Sequence, residues 1–332
     1  MAVLQLGGWS ILLTLMSSLI LTWTLVKTLG RDSYSPPQFG GVAVFCSFWL
    51  GFFVLFPTLL GNSPQWNIFL ASAIVLVTGI LDDYLELKPW HKSVGILMAA
   101  NMIYFMTDVT FSSILIAGVP DWLFDTLAYV LTIGWVYFVT NAVNLLDGLD
   151  GLVSSVSITS LVTLTIMTYI SSLSIRLTFI MMLVLLATAI LGFLPFNWYP
   201  AKIYLGDTGA LFIGFMFATL TVYNLKNVSL FSLIIPILFY AVPLFDTSYA
   251  IIRRMLSGQS MVEKDEDHLH HRLLRYNFSV TQIVRMMIFV TGVFSVIAIL
   301  SQQYLKIRWL LVFISLFLII LLTFFMNYLD KK

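Results

Sequence analysis

From one end of the chain to the other, apolar stretches alternate with short polar segments, and most reach the roughly 20 residues that a helix needs to cross a bilayer core. The pattern predicts eleven helices, at 4–27, 41–60, 66–81, 93–107, 123–140, 152–171, 177–194, 209–224, 229–250, 281–301 and 309–328. The expected fold class is all-α and polytopic, a single integral-membrane domain over residues 1–332. An odd number of spans puts the termini on opposite sides. Between the fourth and fifth helices, FSSILIAGVPDW suits a short hairpin or re-entrant piece. The first run lacks a basic leading region and a small-residue cleavage site, so it reads as a retained span. No repeat or low-complexity tract is evident.

Composition agrees with the pattern. With 60% hydrophobic and 10% charged residues and a mean hydropathy of +0.97, the chain has too little polar surface to coat a soluble globule of 332 residues. Cys46 is the sole cysteine, which excludes a disulfide framework and a cysteine metal site; it reads as a small buried packing residue.

Charge placement says more than its sum. If the loops after helices 1, 3, 5, 7 and 9 share a side with the C-terminus, that side holds thirteen basic residues, among them Lys27, Arg31, Lys88, Lys92, Lys202, Arg253, Arg254, Arg272 and Arg275. Arg176, Lys226, Lys306 and Arg308 are left for the other. The positive-inside bias then makes the first side cytoplasmic and the N-terminus external. The acids divide the same way, although that bias does not act on them. Asp82, Asp83, Glu86, Asp147, Asp150, Asp207, Asp246 and the Glu263–Asp267 cluster fall on the cytoplasmic side, and Asp108, Asp121 and Asp125 outside.

Four segments on that side carry candidate chemistry. In GILDDYLELKPWHK, Asp82 and Asp83 end an apolar span, where carboxylates are costly unless hydrated, paired or cation-bound. Lys88 and Lys92 follow, suited to a salt-bridged cap or a phosphate cradle. In NAVNLLDGLDG, a spacing of three would keep Asn141, Asn144, Asp147 and Asp150 near one face of a helix, while Gly148 and Gly151 permit close backbone approach. In FNWYPAKIYLGDTGALFIGF, Asp207 precedes an apolar run at a predicted helix start, where it could hold a bridging cation or simply cap the helix. Phe196, Trp198 and Tyr199 could stack on a base or belong to the interfacial aromatic belt. In the longest loop, His268, His270 and His271 are flanked by Arg272 and Arg275; the spacings do not favour zinc, and the mixture suits a diphosphate.

Carboxylates without thiolates select Mg²⁺, with Mn²⁺ as a substitute, and Mg²⁺ uses one or two carboxylates plus substrate phosphates. The triphosphate-binding loop and the kinase motifs are absent. Phosphoryl transfer on a diphosphate, with a lipid headgroup as acceptor, is the natural reading. An ion-coupled transporter is the rival, but it predicts charges near helix centres rather than at one boundary.

LDDY, NAVNLLDGLDG, PAKIYLGDTGALFIG and HLHHRLL, in that order, resemble the polyprenyl-phosphate N-acetylhexosamine-1-phosphate transferases of glycosyltransferase family 4, over about residues 36–275. The His-x-His-His-Arg ending is similar to the branch that uses UDP-N-acetylglucosamine to start O-antigen, common-antigen or wall teichoic acid synthesis; the UDP-MurNAc-pentapeptide branch has three consecutive histidines there and ten spans.

The resemblance implies a catalytic set of Asp82, Asp83, Asp207, His270 and His271. Asp207 would be the principal Mg²⁺ ligand, with Asp82 and Asp83 beside the metal and the lipid phosphate. Asn144, Asp147 and Asp150 would line the nucleotide site, Lys92 would lie near the phosphates, and His268 and Arg272 would contact substrate. The implied partners are a UDP-N-acetylhexosamine, undecaprenyl phosphate and membrane lipid, with a homodimer allowed and no nucleic acid; the implied place is the bacterial inner membrane, site facing the cytoplasm. Two departures stand out. The first cytoplasmic loop lacks the family's Asp-x-Pro and Arg-Lys-x-His elements, leaving their work to Arg31 or Lys27 or undone, and Ile96 stands where the family has Gln.

Overall fold

The computed structural model describes residues 2–30, 35–107, 109–111, 120–171, 177–225, 237–238, 240–256, 269–304 and 306–329; among them there is no β-strand. The helices are α1 (Ala2–Leu29), α2 (Gly40–Leu55), α3 (Pro64–Leu85), α4 (Pro89–Met106), α5 (Asp121–Leu146), α6 (Leu152–Ser171), α7 (Leu177–Asn197), α8 (Gly206–Leu225), α9 (Ala241–Leu256), α10 (Leu269–Arg275), α11 (Val280–Gln303) and α12 (Arg308–Leu329). Among the described residues seven helices, α1, α3, α5, α6, α7, α8 and α11, are long and apolar enough to cross a membrane. The chain is a multi-pass membrane protein.

The helix ends differ from the sequence reading in a consistent way. α3 runs on to Leu85, so Asp82 and Asp83 lie inside it; α5 runs on to Leu146, taking in Asn141 and Asn144; α8 already begins at Gly206, with Asp207 in its first turn. Each extension brings polar side chains that find partners on another helix, so the helical backbone continues past the apolar stripe. Of the predicted ninth span, residues 237–238 and Ala241–Leu256 are helical, so its C-terminal end runs past the expected residue 250; its first residues, 229–236, lie outside the described residues, as do 112–119 of the predicted hairpin.

α8 is the axis of the bundle. It is apolar all round, residues 208–222 are buried throughout, and it packs against α2, α3 and α5. Two glycines allow that approach: a Cβ on Gly79 of α3 would fall 2.5 Å from Thr208 Cα, and one on Gly41 of α2 would fall 2.2 Å from Gly209 N. Many hydroxyls within the spans bond to their own helix, as Thr140 does to Val136 O at 2.6 Å, or to a neighbour, as Ser18 of α1 does to Ala189 O of α7 at 2.6 Å, whereas those of Thr22, Ser155, Thr219, Thr291 and Ser295 are buried without a partner among the described residues. The outer faces keep large apolar side chains such as Trp9, Phe289 and Phe313 exposed, as a lipid-facing surface requires. Cys46 belongs with them: it is exposed on α2 rather than buried.

Helix direction fixes where polar residues meet. α3, α5 and α7 present their C-terminal ends, and α2, α4, α6 and α8 their N-terminal ends, at the same end of the bundle, while Asp121 starts α5 about 39 Å away at 1.5 Å per residue.

Candidate active site

The C-terminal end of α3 meets the N-terminal end of α8. Asp83 accepts the Asp207 backbone N–H through Oδ1 at 2.8 Å and the Thr208 N–H through Oδ2 at 2.9 Å; the Thr208 hydroxyl adds a third bond to Oδ2 at 2.6 Å. Those amides are orphan donors at the positive end of the helix dipole, so a carboxylate from another helix serves α8 as its cap. Gly206 makes room for it with φ +71° and a Cβ position 2.7 Å from Asp83 Oδ2.

With its backbone held by Asp83, Asp207 offers its side chain to two other helices. Lys92, in the first turns of α4, places Nζ 2.7 Å from Asp207 Oδ2 and 2.6 Å from Asp82 Oδ2. Asn144, in the last turn of α5, donates through Nδ2 to Asp207 Oδ1. Asp207 thus joins α4 and α5 to α8 directly, and α3 through Lys92.

Beyond α5 the chain turns through Asp147, Gly148, Leu149 and Asp150, and Gly151 at φ +73° leads it into α6. Asp147 and Asp150 are therefore turn residues, not further steps along a helical face; the two glycines end the helix that the spacing of three would have continued. Asn141 stays on α5 and donates to Tyr137 O of its own helix at 2.7 Å. Asp150 Oδ2 accepts the Ala201 N–H at 2.9 Å. The buried Asn197, at the end of α7, accepts from Gly151 N and Ser154 Oγ and donates to Ile203 O, each at 3.1 Å. These bonds tie the 147–151 turn to the 197–205 segment. That segment in turn anchors the start of α2, since Gly40 and Gly41 donate to Tyr204 O and Leu205 O at 3.1 and 3.0 Å.

Between these turns lies a cavity of about 360 Å³ whose wall includes Asp83, Asp147, Asp150, Asn197 and Asp207, with Gln38 contributed by the loop before α2. Asp147 makes no side-chain hydrogen bond among the described residues. Desolvation pushes its carboxyl well above the usual carboxylate range, and the like charges of Asp207, Asp83 and Asp150 push it further.

A hard divalent cation fits this donor set. All candidate donors are oxygens, two carboxylates already converge on one positive charge, and the unpartnered Asp147 faces three others without a counter-charge. Among the described residues no three of His, Cys, Asp and Glu close into a cage, so substrate oxygens would complete the shell. Of the expected ligand trio, Asp207 and Asp82 converge on Lys92, whereas both Asp83 oxygens accept hydrogen bonds from α8.

The basic residues of the expected site are described only in part. His268 is outside the described residues, as is Arg31, and nothing is described of the His270 side chain. His271 and Arg272 sit on α10, and Arg272 is buried with its guanidinium 5.7 Å from the Tyr249 ring centre. Asp246 orients that helix by accepting the Leu269 N–H at 2.8 Å. Lys27 stacks on Trp23 of its own helix at 3.9 Å, and Gln38 of the first loop lines the cavity. Phe196 and Trp198 pack on the core, Trp198 beneath Gly151, while Tyr199 is exposed. Sequence reasoning missed Gln38, Asn197, Tyr204 and Thr208. Only Asn197 left a trace, a polar residue closing a long apolar run.

Fold and site together define the class: a multi-pass membrane protein whose acidic and amide side chains converge where helix ends meet. Comparison with known proteins agrees. Residues 65–224 match glycosyl transferase family 4. The chain is 35% identical over 293 residues to the probable undecaprenyl-phosphate N-acetylglucosaminyl 1-phosphate transferase of Bacillus subtilis (strain 168), covering 88% of this chain and 78% of that protein. It is 29% identical over 287 residues to the decaprenyl-phosphate N-acetylglucosaminephosphotransferase of Mycobacterium tuberculosis (strain ATCC 25618 / H37Rv), covering 75% and 68%. It is 31% identical over 226 residues to the phospho-N-acetylmuramoyl-pentapeptide-transferase of Prochlorococcus marinus (strain MIT 9215), covering 63% and 61%. The chain belongs to glycosyl transferase family 4 and is a membrane-bound transferase.

Proposed function

We propose that this protein transfers N-acetylglucosamine-1-phosphate from UDP-N-acetylglucosamine to undecaprenyl phosphate with release of UMP, as the first membrane step of a cell-envelope polysaccharide, at the cytoplasmic face of the bacterial plasma membrane. The observation that carries this reading is the convergence of Asp82, Asn144 and Asp207 beside a polar cavity at the helix ends. The printed names of the Bacillus and Mycobacterium relatives support N-acetylglucosamine as the sugar.

The acceptor needs little help from a base. A phosphate monoester has its second pKa near 6, so at pH 7 it is mostly ionised and can attack the donor's β-phosphorus directly. Residues of the chain then have to bring two anions together. Asp207 and Asp82 would hold Mg²⁺, with Asn144 fixing the orientation of the Asp207 carboxylate. When bound, Mg²⁺ supplies the positive charge that offsets repulsion between the reactants and stabilises the leaving UMP. Asp147, Asp150 and Asn197 form the wall against which the nucleotide sits, and Lys92 contributes an ammonium within reach of the phosphates. The engagement of both Asp83 oxygens favours direct attack over a covalent route through that residue.

The test is to incubate purified protein with undecaprenyl phosphate, Mg²⁺ and a panel of UDP-sugars and to follow UMP. Release with UDP-N-acetylglucosamine is expected; none with any N-acetylhexosamine donor would defeat the assignment. A labelled sugar phosphate trapped on the enzyme would sink direct attack.

A further inference from the structure

The two carboxylates that converge best are bridged by a cation belonging to the chain itself. Lys92 Nζ stands 2.6 Å from Asp82 and 2.7 Å from Asp207, in both cases at Oδ2, while Asp207 Oδ1 is taken by Asn144. Asp82 is buried, and a buried carboxylate stripped of its partner is strongly destabilising. Without another cation, Lys92 is what lets Asp82 and Asp207 lie side by side.

A bound divalent cation changes that balance. Mg²⁺ ligates carboxylate oxygen at about 2.0–2.1 Å, so a metal on Asp207 Oδ2 would share its acceptor with an ammonium and lie beside a like charge. Asp207 Oδ1 already accepts a hydrogen bond from Asn144, so each oxygen of this carboxylate carries a donor before a metal arrives. Lysine is suited to move, since its ammonium is a point charge on a flexible stem with no fixed fork geometry.

We propose that Lys92 is an exchangeable counter-ion. It bridges Asp82 and Asp207 while no metal is bound, yields Asp207 when a divalent cation arrives, and carries its freed ammonium to the substrate diphosphate. The proposal rests on the metal reading above and adds an order to it: metal entry releases the charge that then receives the donor's phosphates. Lys92 is thus a competitor of the metal before it is a partner of the substrate. Removing its charge tightens metal binding while weakening turnover, a combination that a merely structural lysine would not produce.

The experiment is a substrate-free Mn²⁺ titration of the full-length protein in detergent, reading free Mn²⁺ by electron paramagnetic resonance, for wild type and Lys92→Met. The variant is expected to bind Mn²⁺ about tenfold more tightly, a common size for coupling between two ligands. Equal or weaker binding by the variant, with wild type binding normally, would overturn the exchange and leave the metal reading standing. No Mn²⁺ binding by either protein would overturn both. A second measurement needs no variant: the rate of Lys92 acetylation in wild type, read by mass spectrometry with exposed Lys88 as internal reference. It is expected to rise when Mg²⁺ is added; an unchanged or slower rate would count against release of the ammonium.

Discussion

Asp83 and Thr208, 125 positions apart, are joined twice through one oxygen: the Thr208 N–H at 2.9 Å and its hydroxyl at 2.6 Å both donate to Asp83 Oδ2. Since Thr208 follows Asp207, this cap sets where the Asp207 side chain starts. Asp83→Asn would turn an amide NH₂ toward at least one of three donors and should cost about 1.5–3 kcal/mol, the scale of a hydrogen bond to a charged group. Thr208→Val, which removes only the hydroxyl, should cost about 1 kcal/mol and keep part of the activity. Unfolding in detergent checks both; an Asp83→Asn protein as stable as wild type would remove the cap from the argument.

Asp207 is the carboxylate on which three helices depend. Asp207→Asn keeps the shape and the capped backbone but loses the charge, so the protein should insert and fold while UMP release falls by about 10³-fold or more, as expected when a metal-binding group is lost at a phosphoryl-transfer centre. Near-wild-type turnover would take Asp207 out of the metal site.

Metal removal is the matching experiment on the intact protein. Chelation should abolish UMP release, and Mg²⁺ or Mn²⁺ should restore it. Because a ligand that binds only the folded state stabilises it, added metal should also raise the unfolding temperature. Activity that survives exhaustive chelation would contradict a metal-dependent reaction.

Asp147 predicts a pH dependence. Its folded pKa is raised by desolvation and by Asp207, Asp83 and Asp150. In the window between the unfolded and folded values the native state binds the extra proton, so metal-free stability should fall as pH rises through it. Asp147→Asn should flatten that slope and make the metal-free protein more stable at neutral pH. Parallel unfolding curves from pH 5 to 8 test this; an unchanged slope in the variant would assign the effect elsewhere.

The Asp150 contact with the Ala201 N–H makes a different point, because it holds the cavity wall rather than the reacting groups. Asp150→Ala should raise KM for the UDP-sugar by about tenfold, one lost charge-assisted hydrogen bond, with a smaller effect on kcat. An unchanged KM would show that the 197–205 segment keeps its place without it.

Among the described residues, seven of the eleven predicted helices are long and apolar enough to span, and these were legible because the bilayer imposes a length and a composition that apolar runs such as 177–194 display directly. The clustering of Asp82, Asn144, Asp147, Asp150 and Asp207 was legible for a related reason, since carboxylates are costly within a span and gather where helices end. Their division of labour was not. Asp83 looks like Asp82 in sequence, and only a partner 125 positions away separates a helix cap from a member of the carboxylate pair. Asn197 and Gln38 act through bonds or a cavity wall that no local spacing encodes. The helix ends were misplaced for the same reason: tertiary partners, not apolar periodicity, decide how far α3 and α5 continue.

Gly41 and Gly79 press two helices directly onto the backbone at the start of α8, leaving no side-chain padding between them. Contacts without padding transmit displacement. A substitution that pushed α3 away from α8, such as Gly79→Ala, would shift the Asp207 carboxylate without touching the cavity wall, so activity can be lost from a site that no substrate meets.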